Sequence, residues 1–316
     1  MAEGRKKYKA LTRKKRYKGK YSRRVRQREK IINLAANITA LFLVVILVFF
    51  TYGSLSNKRV NLKQNSDYIA AMRISYNDFS SLRDLSAEYG VDFPQALAYY
   101  FVENNFFKGV PVVNSDEFLR TEFLDDFRRV RRAYSSTDIE PLEEMFRTLL
   151  SEIVCFPIPA NFKGQVIDDF VYGDTWGAGH GYGGDRIHLG TDIIDRRNIR
   201  GRIPIVSMSD GRIIHAGWNT LGGFHVGIIS DGGIYYYYAH LAEFAPGIVP
   251  GVRVVAGDLI GLMGDTGYSS VEGTTGNMIV HLHVGIAYNA QFAEDLLWVN
   301  PYILLRNVEN NRVTID

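Results

Sequence analysis

Beyond Cys155 the chain breaks into short runs of β-branched and aromatic residues separated by glycine turns, a texture that only a sheet of short strands accommodates. Residues 203–206, 211–217, 226–229 and 234–240 read as strands, and further ones are expected at 253–255, 259–263 and 278–286. Asp210-Gly211 and Asp231-Gly232-Gly233 are hairpin turns, so neighbouring strands run antiparallel. Residues 53–154 differ, being rich in helix signals and poor in glycine. Leu82, Leu85 and Tyr89 recur at helical spacing before a Gly90 stop, and Asp92 with Pro94 opens a helix carrying Leu97, Tyr100 and Phe101 on one face. Phe118, Phe123, Phe127 and Val130 predict a third helix, and Thr137 with Glu140 are spaced as a capping box for a fourth. The fold class is α+β, with a β-rich domain over 155–306, a helical juxtamembrane spacer over 53–154 and a C-terminal tail over 307–316.

Charge and hydropathy divide the rest. Residues 1–30 hold fifteen Lys or Arg against Glu3 and Glu29, a balance of +13 in a chain of net charge +3, so the remainder carries −10. The apolar run over 31–52 has the roughly 20 residues that a helix needs to cross a hydrocarbon core. A cationic stretch ahead of such a run reads as a topology signal, not a nucleic-acid tail, and no nucleic-acid partner is expected. Residues 51–56 make a poor signal-peptidase site, which favours an uncleaved anchor in the cytoplasmic membrane. The N-terminus then lies in the cytoplasm and everything after about residue 53 outside it.

All seven histidines follow residue 179, and Cys155 is the only cysteine, so any zinc in one chain must use His and Asp. His188 and Asp192 in one segment, with His281 and His283 in another, offer three imidazoles and a carboxylate. A set of His188, Asp192 and His283 would leave the fourth tetrahedral position free, the mark of catalytic zinc. Alternate strand residues share a face, so His281 and His283 point the same way. By the same rule Tyr238 and His240 are expected on one face, presenting a phenol and an imidazole together. His180, His215 and His225 read as surface or satisfied core residues, Tyr235–Tyr237 as strand packing, and 173–184 as a loop flanking a groove.

From about Phe156 to Arg306 the chain resembles the lysostaphin or LytM-type zinc endopeptidases of peptidoglycan. The resemblance rests on His188-Leu189-Gly190-Thr191-Asp192, Tyr238-Ala239-His240-Leu241, Gly257-Asp258-Leu259-Ile260-Gly261 with Gly264-Asp265-Thr266-Gly267, and His281-Leu282-His283. It implies one zinc held by His188, Asp192 and His283, with His281 and His240 catalytic without being ligands. His281 is expected to be the general base, and His240, assisted by Tyr238, to support the developing oxyanion, although the two histidine roles could be exchanged. The link over 268–280 is longer than is usual in the family and is expected to affect substrate choice. A weaker resemblance, of Tyr89-Gly90-Val91-Asp92 and Glu103-Asn104-Asn105-Phe106 to lytic transglycosylases, would make Glu103 an acid; the following Ser and the later motif are missing. The expected partners are a peptidoglycan peptide, the membrane through 31–52 and envelope proteins through 53–154. The competing reading is a non-catalytic envelope scaffold of the sporulation type on the same fold.

Overall fold

The computed structural model describes residues 25–28, 30–47, 58–108, 123–180 and 186–316, in two compact units, Met1–Asn57 and Lys58–Asp316. In the first unit the helix Val25–Leu47 contains an 18-residue window with a mean hydropathy of 2.1, and is long and apolar enough to cross a membrane by length and composition. It begins before the expected start of the anchor. The basic residues up to 24, residues 48–52 of the apolar run, Phe118 and the 181–184 end of the glycine-rich loop lie outside the described residues.

The second unit opens with helices α1 (Ser66–Ala71), α2 (Tyr76–Tyr89) and α3 (Phe93–Glu103), continues with α4 (Phe123–Ala133) and α5 (Ser136–Glu152), and later adds α6 (Tyr302–Asn307). The Ser75 hydroxyl accepts from Asp78 N at the start of α2, and Gly90, at φ +64°, ends it in the left-handed conformation that glycine adopts without strain. Asp92 accepts from Gln95 N to open α3. This helix is not one-faced as expected: every residue from Ala96 to Val102 is buried, because α3 runs through the middle of the helical layer. Phe101 meets Phe146 of α5 with ring centroids 5.0 Å apart. The expected capping box at Thr137 and Glu140 does not form. The helix starts two residues earlier, with Ser135 in the N-cap position; the Thr137 hydroxyl pairs with that of Ser135 at 2.9 Å, and Asp138 in the first turn accepts from Arg59 and Val60 N.

Ten strands form one sheet: β1 (Phe170–Tyr172), β2 (Thr191–Asp195), β3 (Pro204–Val206), β4 (Gly211–Asn219), β5 (Gly223–Ser230), β6 (Ile234–Phe244), β7 (Arg253–Val254), β8 (Leu259–Met263), β9 (His281–Tyr288) and β10 (Leu297–Val299). The main path runs β7-β4-β5-β6-β9-β2-β1; β8 pairs with β6 and β3, and β10 with β9. All of these pairings are antiparallel. The 278–286 strand begins at His281, three residues later than expected, and β6 runs on past His240 to Phe244.

Helices and sheet share one apolar core, in which Leu149, Ile153 and Phe156 continue into Ile193 and Tyr236. The helical stretch is therefore packed onto the sheet and is not a detached spacer. Asn300 fastens the two layers: its backbone N–H donates to Ala70 O at 2.7 Å, and its amide donates to Ala71 O and to Asp174 of the loop that leads toward His188. Nor are the last residues a loose tail. Thr314–Ile315 pairs with Asn161–Phe162, and the Arg312 guanidinium donates to the carbonyls of Ile158 and Pro159, which would otherwise lack partners.

Candidate metal centre

Cross-strand register brings the first two donors together. His283 on β9 lies directly opposite Asp192 on β2. His188 joins them from the segment ahead of β2, where its backbone exchanges hydrogen bonds with Gly177 and Ala178, both 2.9 Å. Its ring is fixed by Nδ1–H donating to Thr175 O at 2.9 Å. Gly190 completes the seat, since a Cβ there would stand 2.4 Å from His283 Cε1 and 2.6 Å from Val284 O.

The three donor atoms form a nearly equilateral triangle. His188 Nε2 is 3.0 Å from Asp192 Oδ1 and 2.9 Å from His283 Nδ1, which is itself 3.0 Å from the same oxygen. A tetrahedral ion with ligands at about 2.0–2.1 Å needs donor separations of about 3.3 Å, so a small expansion of this triangle is all that separates it from one face of such a shell. Proton bookkeeping points the same way. With Nδ1 of His188 committed to Thr175 O, its Nε2 faces the carboxylate oxygen and the second imidazole nitrogen, a position where either a proton or a metal cation can be held between them. Burial opposes charge on Asp192, but the imidazoles of His188 and His283 outweigh it and hold the carboxyl far below the usual carboxylate range. Burial likewise opposes charge on His188, where Asp192 prevails and raises the pKa; at His283 burial prevails and lowers it. Converging lone pairs and an anion fit a cation. Among the described residues this is the one His, Cys, Asp and Glu group with metal-ligand spacing.

Two more imidazoles stand beside the triangle. His281 Nδ1 donates to Ile279 O at 2.7 Å, and its Nε2 is 4.0 Å from Asp192 Oδ1. His240 Nδ1 donates to Thr266 O at 2.8 Å, and the two rings are 4.5 Å apart. Each neutral ring therefore keeps its Nε2 lone pair available. Burial, then the neighbouring His281 and His283, push the pKa of His240 well below the ordinary imidazole value.

Tyr238 does not reach this site, contrary to the alternation argument. It is fully buried on the opposite face, where its hydroxyl accepts from Met208 N at 2.9 Å. The alternation fails at His240, whose φ of +64° lies in a register shift of β6 and turns the imidazole onto the face of Tyr237 and Ala239. Tyr237, not Tyr238, is therefore the tyrosine that this strand presents to the groove. Its oxygen accepts from Asn219 Nδ2 at 3.0 Å, and Asn219 Oδ1 accepts from Leu221 and Gly222 N–H, so one amide fixes both the phenol and the adjoining turn.

His188, His240 and His283, with His281 packed beside His240, face a groove of about 560 Å³ whose lining includes Arg186, Ile187, Leu221, Tyr237, Tyr268 and Trp298. Sequence reasoning missed Trp298, which arrives on an edge strand far along the chain, and Tyr237, which is hidden by the shift at His240. Of the enlarged 268–280 link only Tyr268 lines the groove; Gly276 N–H is tied back to Asp265 at 2.9 Å and Glu272 is exposed. His215 and His225 stack elsewhere on the sheet with centroids 4.2 Å apart, and His180 pairs through its backbone with Arg186. Glu103 is also remote in the fold: its two oxygens accept from Arg129 at 3.3 Å and from the Tyr134 hydroxyl at 3.1 Å.

A two-histidine, one-carboxylate donor set, with two further imidazoles in a groove of peptide size, is a site of the metallopeptidase class. The model of peptidase family M23 matches residues 186–294. A crystal structure from Ruminococcus gnavus ATCC 29149, of a protein assigned as a glycyl-glycine endopeptidase LytM, is similar with a TM-score of 0.63 and 31% identity, over 81% of this chain and 98% of that one. The chain belongs to peptidase family M23. It is 40% identical over 131 residues to an L-Ala–D-Glu endopeptidase of Bacillus subtilis (strain 168), a match that covers 42% of this chain and 37% of that protein. It is 36% identical over 113 residues to lysostaphin of Staphylococcus staphylolyticus, covering 33% of this chain and 21% of that protein. The chain thus spans 37% of the first of these curated relatives and 21% of the second.

Proposed function

We propose that this chain is a zinc-dependent endopeptidase that hydrolyses peptide bonds of peptidoglycan, in cross-links or stem peptides, during wall remodelling. The observation that carries the reading is the triangle of lone pairs from His188, Asp192 and His283, which calls for a cation, beside two imidazoles with free Nε2 atoms. The substrate class is supported by the relatives, whose names specify L-Ala–D-Glu and glycyl-glycine bonds. The cytoplasmic membrane holds the chain through residues 31–52, with residues 1–30 inside, which places the groove where the wall is. Residues 155–306 carry the catalysis and 53–154 shape and support it, leaving the outer face of the helices for envelope partners.

When bound by His188, Asp192 and His283, zinc supplies a Lewis acid that polarises a carbonyl and acidifies water. The remaining work falls to the chain. His281 Nε2 takes the proton of the attacking water as the new C–O bond forms, and returns it to the amine nitrogen as the C–N bond breaks. The Ile279 carbonyl holds the other nitrogen of that ring, so the acceptor points at the site throughout. His240, kept neutral by burial and with its N–H committed to Thr266, is a hydrogen-bond acceptor. It orients the water and does not donate to the oxyanion, which revises the role expected from sequence.

The test uses the full chain in detergent, measuring bound zinc and amino-group release from purified muropeptides before and after chelation. One zinc per chain and release that stops with EDTA are expected. Muropeptides that stay intact in the presence of bound zinc would sink the reading.

A further inference from the structure

We infer that Arg186 makes the groove select peptides that carry a free carboxylate beside the scissile bond, over uncharged glycyl chains. The inference rests on the endopeptidase reading and names the substrate class within it. Arg186 lines the groove, and among the described lining residues it is the one that carries a permanent positive charge. Its position follows from the backbone. Gly179–His180 pairs with Arg186–Ile187, and the ladder continues through the hydrogen bonds of His188 with Ala178 and Gly177. Arg186 stands two residues ahead of His188, their Cα atoms about 7 Å apart in extended chain, and both residues line the groove, as do Ile187 and Leu189.

A guanidinium that lines the same groove as a ligand suits an anionic group on the residue next to the bond being cut. Burial and the Asp192 charge raise the pKa of Tyr268, on the loop that follows β8, and the charge of Arg186 reaches the same phenol in the opposite direction. The walls between them, Ile187, Tyr237 and Trp298, are aromatic or apolar, so an anion there is less screened than in open water. Glycyl peptides offer this arginine nothing but carbonyl oxygens, whereas a carboxylate can take two parallel N–H bonds from its planar fork.

Two tripeptides isolate the effect: L-Ala-γ-D-Glu-L-Lys with the α-carboxylate free, and the same peptide with an α-carboxamide of nearly identical shape. Binding is measured on the full chain in detergent after EDTA dialysis, so that nothing is turned over, and hydrolysis is measured in parallel with zinc restored. The wild-type chain should bind the carboxylate about tenfold more tightly, as charge-assisted bidentate pairing implies. Arg186→Gln should bind both peptides equally, with unchanged affinity for the carboxamide, which also reports an intact groove. Arg186→Lys should keep part of the preference. The same preference in Arg186→Gln, or none in the wild type, overturns the inference. Hydrolysis without carboxylate preference removes Arg186 and leaves the endopeptidase; a preference in binding with no hydrolysis does the reverse.

Discussion

Two carboxylates, Asp192 in the sheet and Glu103 in the helical layer, each sit where sequence alone gave grounds for an active site, and their surroundings differ in kind. Around Asp192 the neighbours are two imidazole nitrogens, one on a ring whose other nitrogen is committed to Thr175, so two nitrogens and an anion converge on one point. Around Glu103 the neighbours are donors, the Arg129 guanidinium and the Tyr134 hydroxyl, and both carboxylate oxygens are satisfied. The first arrangement requires a cation; the second already contains one. Both oxygens of Glu103 are thus engaged by protein donors, an ion pair and a hydrogen bond that hold the helical layer together.

The contrast is tested most strongly by removing a corner of the triangle. His283→Ala should lose bound zinc and with it nearly all hydrolysis, at least about a thousandfold, because an anion and one imidazole are left to hold the ion. Zinc content and muropeptide turnover, measured on the same sample, separate this from simple misfolding if the melting profile is retained. Retention of one tightly held zinc would mean that the triangle is not the metal site.

His281→Ala is the next largest. It removes the proposed proton carrier but no corner, so zinc should stay while the rate falls about 10²–10⁴-fold, the usual range for general acid–base catalysis. Loss of metal from this variant would merge the two roles that the register keeps apart, since His281 faces Ile194 and His283 faces Asp192.

Gly190→Ala probes the seat of a ligand instead of the ligand. The added methyl would meet the His283 ring on one side and the Val284 carbonyl on the other, and neither can withdraw without moving β9. Zinc affinity should fall about 10–100-fold, as when an orienting partner is removed. A competition titration with a chelator reads this directly, and unchanged affinity would show that the ring finds another seat.

These variants also mark how far residue order carries the argument. The four motif segments and the strand texture place His188, Asp192, His281 and His283 because short-range rules govern them: period-two alternation and turns made by glycine. Tyr238 fails because one left-handed residue, His240, reverses the alternation, and nothing in Tyr-Tyr-Tyr-Tyr-Ala-His marks where the reversal falls. Trp298 and Arg186 meet in the groove through tertiary packing of separate strands, which no local pattern records. The fusion of helices and sheet into one core is hidden for the same reason, since α3 shows its apolar sides to partners that lie far away in the chain. At the start of α5 the local signal itself misled, because Arg59 and Val60, from a distant segment, claimed Asp138.

The smallest effect belongs to the other carboxylate. Glu103→Gln keeps an oxygen for the Tyr134 hydroxyl and removes the charge facing Arg129. That pair is largely exposed on the arginine side, so stability should fall by no more than about 1 kcal/mol, seen as a small drop in melting temperature. Burial and the Glu103 charge together push the Tyr134 phenol up to about 12; without that charge it should ionise at lower pH, while burial still keeps it above the free value. Muropeptide hydrolysis should stay within twofold of wild type, with the same products. Disappearance of a sugar-cleaved product from this variant would give the helical layer a chemistry of its own, and the difference between the two carboxylates would then be one of reaction rather than of activity against none.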